Sequence, residues 1–354
     1  MNILLLETTK PKTFQRKILQ KLVPKIASNN YHYDALMTEI QARVTTKYDL
    51  AYFPSAHMMK RPELKIPVVG TLHDFNWKYF FGQQIFTLPF VEMMDEEILR
   101  WMSKGYNACS SQDVVDEAKK LYPNAQYFPT VIPIGSVVVN RMMTEERSNQ
   151  ILKQLGIDFP YLIFPGNFFP HKNHLNLFAA FSILRQRKGF GNYKLLLTGF
   201  NSDQVKRGIA GKRGVQILTK NSMSDDFDVV GLGYQPNEVI DVLISKARLL
   251  VSPSLYEAIC TPGMDAWSFG TPTAISDIPP FREHEKVWGI RSAFFDPNNP
   301  EDIANTIEHY LNHYEQAKID GEISKQNLRK YSWSTVAERY MEVFRKAVSD
   351  FEKG

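Results

Sequence analysis

The sequence predicts an α/β protein with two parallel sheets covered by helices. Short apolar runs alternate with longer amphipathic stretches along the whole chain, which is typical of parallel sheets packed between helices. The alternation restarts after about residue 150, and a chain of 354 residues fits two domains of common size. We therefore expect two Rossmann-like lobes, each of which begins with a buried strand.

The first lobe is expected to span residues 1–150. Its opening apolar run, residues 2–6, ends at Glu7 and is too short for the core of a signal peptide, so we interpret it as a strand. Further strands are predicted at residues 50–53, 67–72 and 106–110, and helices at residues 14–27 and 113–121.

The second lobe is expected to span residues 151–330, after a polar boundary stretch at 141–154. Strands are predicted at residues 161–164, 194–198, 247–252, 273–276 and 293–295, and helices at residues 175–186, 237–246 and 301–314. In the remaining stretch, 331–354, Ser332 is positioned to cap a helix that could pack back on the first lobe.

The composition excludes several classes of protein. A net charge of +4 is far from the excess that a dedicated nucleic-acid binder carries, and 44% hydrophobic residues exclude global disorder. The two cysteines, Cys109 and Cys260, are too few for a disulfide framework and form no Cys-x-x-Cys pair. This use of cysteine predicts a reducing, cytoplasmic setting, and no apolar run in the sequence is long enough to span a bilayer.

One segment, residues 251–265, has the arrangement of an anion site. A strand ends at Pro253, a turn carries Glu257, and Pro262 stands in the first turn of a helix. The N–H groups of Ile259, Cys260 and Thr261 are then expected to point outward at a helix N-terminus, where a phosphate binds well. Asp265, one turn later, could bind a sugar hydroxyl. The alternative is an ordinary helix start followed by a solvated acid.

A second segment, residues 164–174, follows the first strand of the second lobe. Gly166 permits a tight turn there, and Lys172 stands near the start of the next helix. A lysine at this place is a compact positive charge for a diphosphate. The alternative is a surface lysine at a helix start.

Together these segments resemble glycosyltransferase family 4, the retaining nucleotide-sugar enzymes with the GT-B fold. The resemblance covers residues 161–297. It rests on Gly166 with Lys172-Asn173, Gly231-Leu232-Gly233-Tyr234, Pro253-Ser254-Leu255-Tyr256-Glu257, Gly270-Thr271-Pro272 and Phe295-Asp296-Pro297. It implies two Rossmann-like lobes that face each other across a cleft, with the donor on the second lobe and the acceptor on the first.

The resemblance also implies roles for individual residues. Lys172, Glu257 and His73, which ends a first-lobe strand, would be catalytic. Donor contacts would come from Gly166, Asn167, His171, Lys172, Gly199, Tyr234, Glu257, Ile259, Cys260, Thr261 and Asp265. The implied reaction moves a sugar from a UDP- or GDP-sugar to a glycan or lipid-linked acceptor in cell-surface polysaccharide synthesis, with no cofactor and no metal.

The chain departs from the family pattern at several positions. Asp265 replaces the second acid of the Glu-x7-Glu signature, Ala258 and Cys260 replace glycines, and Asn167 replaces a frequent arginine. The first lobe matches more weakly, and residues 8–13 lack the usual glycines. These departures support an alternative, a catalytically degenerate nucleotide-sugar-binding protein with a regulatory or scaffold role.

The predicted helix over residues 10–27 has a basic polar face, because no acid lies between Glu7 and Asp34. Such a helix can sit on an anionic membrane surface, which would suit a peripheral enzyme on the inner face of the membrane. The alternative is the first helix of a Rossmann-like lobe, which buries its apolar side.

Overall fold

The computed structural model describes residues 3–5, 48–56, 60–80, 88–135, 143–200, 202–203 and 228–353. Strands β1 to β11 of this part are Ile3–Leu5, Leu50–Phe53, Val68–Thr71, Asn107–Cys109, Thr130–Val131, Tyr161–Pro165, Lys194–Thr198, Val229–Gly231, Leu249–Ser252, Thr273–Ser276 and Ala293–Phe295. Helices α1 to α10 are Leu88–Ser103, Gln112–Leu121, Glu145–Gln154, His174–Gln186, Asn237–Ser245, Thr261–Phe269, Pro279–Trp288, Pro300–Asn312, Tyr314–Leu328 and Trp333–Lys353.

The described strands form two parallel sheets, which confirms the predicted fold class. The first has the order β1-β2-β3-β4-β5 and the second has the order β11-β10-β9-β6-β7-β8. In the second sheet, β6 lies at the centre, with β7 and β8 on one side and β9 to β11 on the other. The direction of winding therefore reverses between β6 and β9. In open parallel sheets, ligands bind outside the carboxyl ends of the strands at this switch point.

The second sheet is buried on both faces, as its continuous apolar strands predict. Leu162 and Phe164 of β6 face a core that α4 and α8 cover with Phe178 and Ile303. Ile163, on the opposite face, packs in a second core that α5 and α6 cover. The period-two alternation along β6 thus divides its side chains between two helical layers and fixes the strand ends above them.

The first sheet has its own core, which the C-terminal helix α10 covers. Val69 and Ala108 of the sheet pack against Phe344 of α10. A polar contact lies beside them, where the hydroxyls of Thr71 and Tyr340 are 2.9 Å apart. Such a contact fixes the rotation of α10 on the sheet, since apolar packing alone is not directional.

By its internal contacts the chain divides into two compact units, Met1–Pro133 with Val336–Gly354, and Ile134–Thr335. The boundary expected at residue 150 thus falls inside α3. This helix belongs with the second unit because Arg147 bonds Glu238 at 2.8 Å and Glu145 pairs with Lys246 at 2.6 Å. The polar stretch at 141–154 therefore forms, from Glu145 onward, a surface helix of the second unit.

The helices of the structure differ from the predicted helices in several places. The predicted helix 301–314 is two helices, because α8 ends at Asn312 and α9 begins at Tyr314. Helices α1, α3, α7 and α9 were not predicted. The basic helix at 10–27 lies outside the described residues. Within the described ranges, the helices are all too short or too polar to cross a bilayer.

Candidate active site

Three glycines connect the carboxyl ends of β6, β7 and β8. The Gly166 N–H donates to Thr198 at 2.9 Å, and the Gly199 N–H donates to Gly233 at 2.9 Å. Gly199 has a φ of 114°, and a Cβ there would stand 2.7 Å from the Gly166 carbonyl oxygen. The predicted donor residues Gly166 and Gly199 are thus in contact, and the close approach of their backbones requires glycine at 199.

Asn167 and Tyr234 lie at the same edge of the sheet. The Asn167 Oδ1 accepts the Phe200 N–H at 2.8 Å, so this side chain ties the β6 and β7 ends together. Tyr234, after β8, is 83% exposed, and Phe200 is 59% exposed. Two exposed aromatic rings thus flank the strand ends on this side of the switch point.

The turn that carries Lys172 follows β6. It is the 3₁₀ helix Pro170–Lys172, and Asn173 then starts α4 in the left-handed region with φ 58°. The Lys172 ammonium forms an ion pair with the Glu257 carboxylate, and Ser254 Oγ donates to the same oxygen, Glu257 Oε1, at 2.8 Å. The structure therefore joins two predicted catalytic residues that are 85 positions apart in the chain.

The turn between β9 and α6 carries Glu257 and rests on the lysine turn. The Leu255 N–H donates to the His171 carbonyl at 2.7 Å, so the backbones of the two turns are in direct contact. The side chains of Lys172 and Glu257 are only 17% and 14% exposed. A charged pair thus lies partly buried at the carboxyl ends of β6 and β9, beside the switch point.

Two of the three predicted amide donors point elsewhere. The Cys260 N–H donates to His284 Nε2 at 3.1 Å, and the Thr261 N–H donates to the Ile259 carbonyl at 3.0 Å. These two amides are therefore not available to a phosphate in this conformation. The N–H groups of Ala258 and Ile259, in contrast, make no hydrogen bond within the described part of the chain. Of the three predicted amides, that of Ile259 thus stays unbonded in the described part of the chain, and the amide of Ala258, which was not predicted, lies beside it.

Two histidines beside these turns are neutral. Burial and the nearby positive charge of Lys172 together lower the pKa of His171 to about 4, against a smaller opposing effect of the Glu257 carboxylate. Burial also lowers the pKa of His284 to about 3. A neutral His284 keeps the Nε2 lone pair that accepts the Cys260 N–H, so the turn is held by an uncharged acceptor.

The remaining two predicted site residues stand in different units. Asp265 lies half-buried on α6, in the second unit. His73 follows β3 in the first unit, where its Nε2–H donates to the Pro54 carbonyl at 2.7 Å. This bond holds the imidazole at the carboxyl end of the first sheet.

Three residues that shape the site were not predicted. Ser254 orients Glu257, His284 holds the Cys260 amide, and Asn173 donates to two carbonyls of neighbouring loops. The Ser-x-x-Glu spacing of residues 254–257 is a local signal for the first. The contacts of His284 and Asn173 join parts of the chain that are far apart in sequence, so no short sequence pattern indicates them.

Comparison with known proteins finds relatives whose names refer to a mannosyltransferase and to a mannosylfructose-phosphate synthase. The chain is 25% identical over 282 residues to the O-antigen chain mannosyltransferase B of Escherichia coli, a match that covers 75% of this chain and 66% of that protein. It is 22% identical over 293 residues to the mannosylfructose-phosphate synthase of Agrobacterium fabrum, covering 78% and 63%. The matched stretch thus spans slightly less than two thirds of each relative.

Among solved structures, the Anabaena protein HepE in complex with UDP and glucose has a TM-score of 0.66 at 14% identity, over 89% of this chain and 81% of that one. This likeness confirms the GT-B fold. The family model described as "Glycosyl transferases group 1" matches residues 148–327, the stretch that carries the lysine and glutamate turns. The chain therefore belongs to the glycosyl transferases of group 1.

Proposed function

We propose that this protein is a retaining glycosyltransferase, which moves a sugar from a UDP- or GDP-sugar to a glycan or lipid-linked acceptor. The observation that carries the proposal is the Lys172–Glu257 pair at the switch point of the second sheet. A lysine and a glutamate at this place suit a donor that has an anionic diphosphate at one end and sugar hydroxyls at the other.

The arrangement can bind a diphosphate without breaking the pair. An ammonium group has three N–H donors, of which Glu257 takes one, so the others can reach phosphate oxygens. The amides of Ala258 and Ile259 precede α6 and add donors at the positive end of that helix. Asp265 on α6 would then bind the ribose.

The same groups would assist the departure of the nucleoside diphosphate. As the bond from the sugar to the phosphate breaks, negative charge grows on the leaving oxygens, and Lys172 with the two amides would stabilise it. Removal of one preorganised donor of this kind costs roughly a hundredfold or more in turnover. We propose attack from the face that the leaving group occupied, with a donor phosphate oxygen taking the acceptor proton. No metal is required in this scheme.

Glu257 and His73 would act on the sugar. Ser254 holds one oxygen of the Glu257 carboxylate. The other oxygen can accept hydrogen bonds from hydroxyl groups of the transferred sugar and so orient it. For His73 we likewise propose a catalytic role. The names of the relatives above favour mannose as the transferred sugar, and we extend this to the present chain as part of the proposal.

A thermal-shift screen of the full chain tests the donor site. We would measure the unfolding midpoint with UDP, GDP, ADP, CMP and dTDP, and with UDP-glucose and GDP-mannose. A nucleotide at about 100 times its dissociation constant stabilises a folded protein by roughly 2.7 kcal/mol, which raises the midpoint by several degrees. We expect nucleotides of one base to raise the unfolding midpoint clearly more than the others, and we expect the Lys172→Met variant to lose that shift.

The outcomes separate the proposal from its alternative. A folded protein that responds to none of these nucleotides would contradict the donor site. Binding without transfer, over a panel of glycan and lipid-linked acceptors, would instead support the degenerate nucleotide-sugar-binding protein. The internal bonds of the Cys260 and Thr261 amides favour that alternative, because they leave fewer amides for the diphosphate. Addition of anionic vesicles to the assay tests whether a membrane surface is needed.

A further inference from the structure

Asn173 occupies an unusual position beside the lysine turn. It has a φ of 58°, and Tyr106 is its one non-glycine companion with positive φ among the residues that the structure describes. It is 8% exposed and directly follows Lys172. Asparagine tolerates this backbone conformation better than most residues, but glycine adopts it without any steric penalty. The backbone alone therefore does not explain why an asparagine side chain is present here.

The side-chain amide of Asn173 connects three strand ends. Its Nδ2 donates to the Pro253 carbonyl at 2.9 Å and to the Pro297 carbonyl at 2.7 Å. Pro253 follows β9 and leads to Glu257, and Pro297 follows β11. Both protons of the amide are thus used, and each binds a loop from a different strand. The backbone of the same residue starts α4 at the end of β6.

We infer that Asn173 is a positioning residue of the donor site: its amide ties the turn that carries Lys172 to the loops after β9 and β11. The inference rests on the proposed function. Without the amide, the backbone could still form the left-handed turn, but the loop that begins at Pro253 would lose a fixed point. The Lys172 ammonium would then no longer be held at the Glu257 carboxylate.

Two variants isolate the amide. Asn173→Gly keeps the left-handed turn and removes both hydrogen bonds. Asn173→Asp keeps the shape of the side chain, but a carboxylate has no proton to donate and faces two carbonyl oxygens. The matched control is Asn176→Ala, because Asn176 Nδ2 donates at 2.9 Å to the same Pro297 carbonyl but does not reach the β9 loop.

The first readout is binding of the nucleoside diphosphate that gives the largest shift in the thermal-shift screen. It is measured by calorimetry at a temperature where all variants are folded. Loss of two neutral hydrogen bonds that hold the site predicts a dissociation constant raised about tenfold in Asn173→Gly and in Asn173→Asp. Asn176→Ala is expected to bind like the parent protein. A purely structural role would lower the unfolding midpoint of all three variants and leave the dissociation constant unchanged.

The second readout needs no nucleotide. Acylation of lysines with an amine-reactive ester, followed by peptide mass spectrometry, reports how well Lys172 is held at Glu257. We expect the Lys172 acylation rate to rise several-fold in Asn173→Gly and to stay at the parent rate in Asn176→Ala. Unchanged rates and unchanged dissociation constants would overturn the inference. A raised acylation rate in a protein that binds no nucleotide would support the positioning role and contradict the proposed function.

Discussion

At the scale of single residues, the candidate site is organised around one partly buried ion pair. Lys172 and Glu257 neutralise each other, and Ser254 adds a third polar group at 2.8 Å from Glu257 Oε1. Two charges removed from water must compensate each other's lost hydration, so neither is well tolerated alone. The pair therefore contributes to stability as well as to the proposed chemistry, and these two contributions can be separated experimentally.

We expect Lys172→Met and Glu257→Gln each to lower the free energy of unfolding by about 1–3 kcal/mol, because each leaves the other side chain of the pair partly buried without its opposite charge. The double variant should recover most of that loss, since no unpaired charge remains. Turnover should stay roughly a hundredfold or more below the parent in all three proteins. Urea denaturation and a donor-turnover assay measure the two effects.

The surface pair of Arg147 and Glu238 is the matched control, with side chains 42% and 46% exposed. Exposed pairs add little to stability, so Arg147→Ala should leave the urea midpoint close to that of the parent. Additive stability losses in the Lys172 and Glu257 double variant would show that the two side chains do not interact. Parent-like turnover in either single variant would remove that residue from the proposed chemistry.

At the scale of secondary structure, the sequence predicted strands better than helices. The strands at residues 50–53, 194–198, 273–276 and 293–295 have the predicted bounds, because a strand buried on both faces is a short apolar run with polar ends. Helix α7 was missed because it opens with Pro279 and Pro280 and then alternates charges with buried His284 and Trp288. Its apolar spacing is therefore irregular.

The close contact of helices α6 and α9 gives a prediction at this scale. A Cβ on Gly321 of α9 would stand 2.2 Å from the carbonyl oxygen of Gly270, the residue that directly follows α6. Because the obstacle is backbone, Gly321→Ala should lower the free energy of unfolding by about 1–3 kcal/mol, despite the better helix propensity of alanine.

The control for that substitution is Gly191→Ala, because no atom lies within 4 Å of a Cβ built there. Its effect should stay within about 0.5 kcal/mol. Both variants can be compared by urea denaturation. A Gly321→Ala protein as stable as the parent would show that the two helices can separate without cost.

At the scale of the whole molecule, the sequence indicated which candidate residues lie at the strand ends of the second sheet but not how their polar atoms are directed. Lys172 and Glu257 were identified separately, and their pairing depends on β6 and β9 being neighbours in the sheet. The Cys260 amide was expected to face a ligand, and it faces His284 instead. Such contacts depend on the packing of α7, which no local pattern reports. The direction of a buried hydrogen bond therefore remains the least predictable part of the site.

Buried histidines also give the whole molecule a pH-dependent stability. Burial, with the nearby charge of Lys172, lowers the pKa of His171 to about 4 and that of His174 to about 3. Burial alone lowers the pKa of His284 to about 3. The unfolded chain takes up protons on these residues near their ordinary pKa of about 6.5, whereas the folded chain does not. The unfolded state therefore binds more protons below pH 6.5, and stability falls as the pH falls through this range.

Between about pH 6 and pH 4.5, each such histidine should contribute a slope of roughly 1.4 kcal/mol per pH unit to the free energy of unfolding. The loss should be complete only below the folded-state pKa values. Unfolding midpoints across this range measure the slope. The His284→Gln variant keeps an acceptor for the Cys260 amide and should lower the slope by the contribution of one histidine. A slope in His284→Gln equal to that of the parent would show that His284 titrates alike in both states. A midpoint that stays constant from pH 7 to pH 4.5 would exclude all three residues as the source of acid sensitivity.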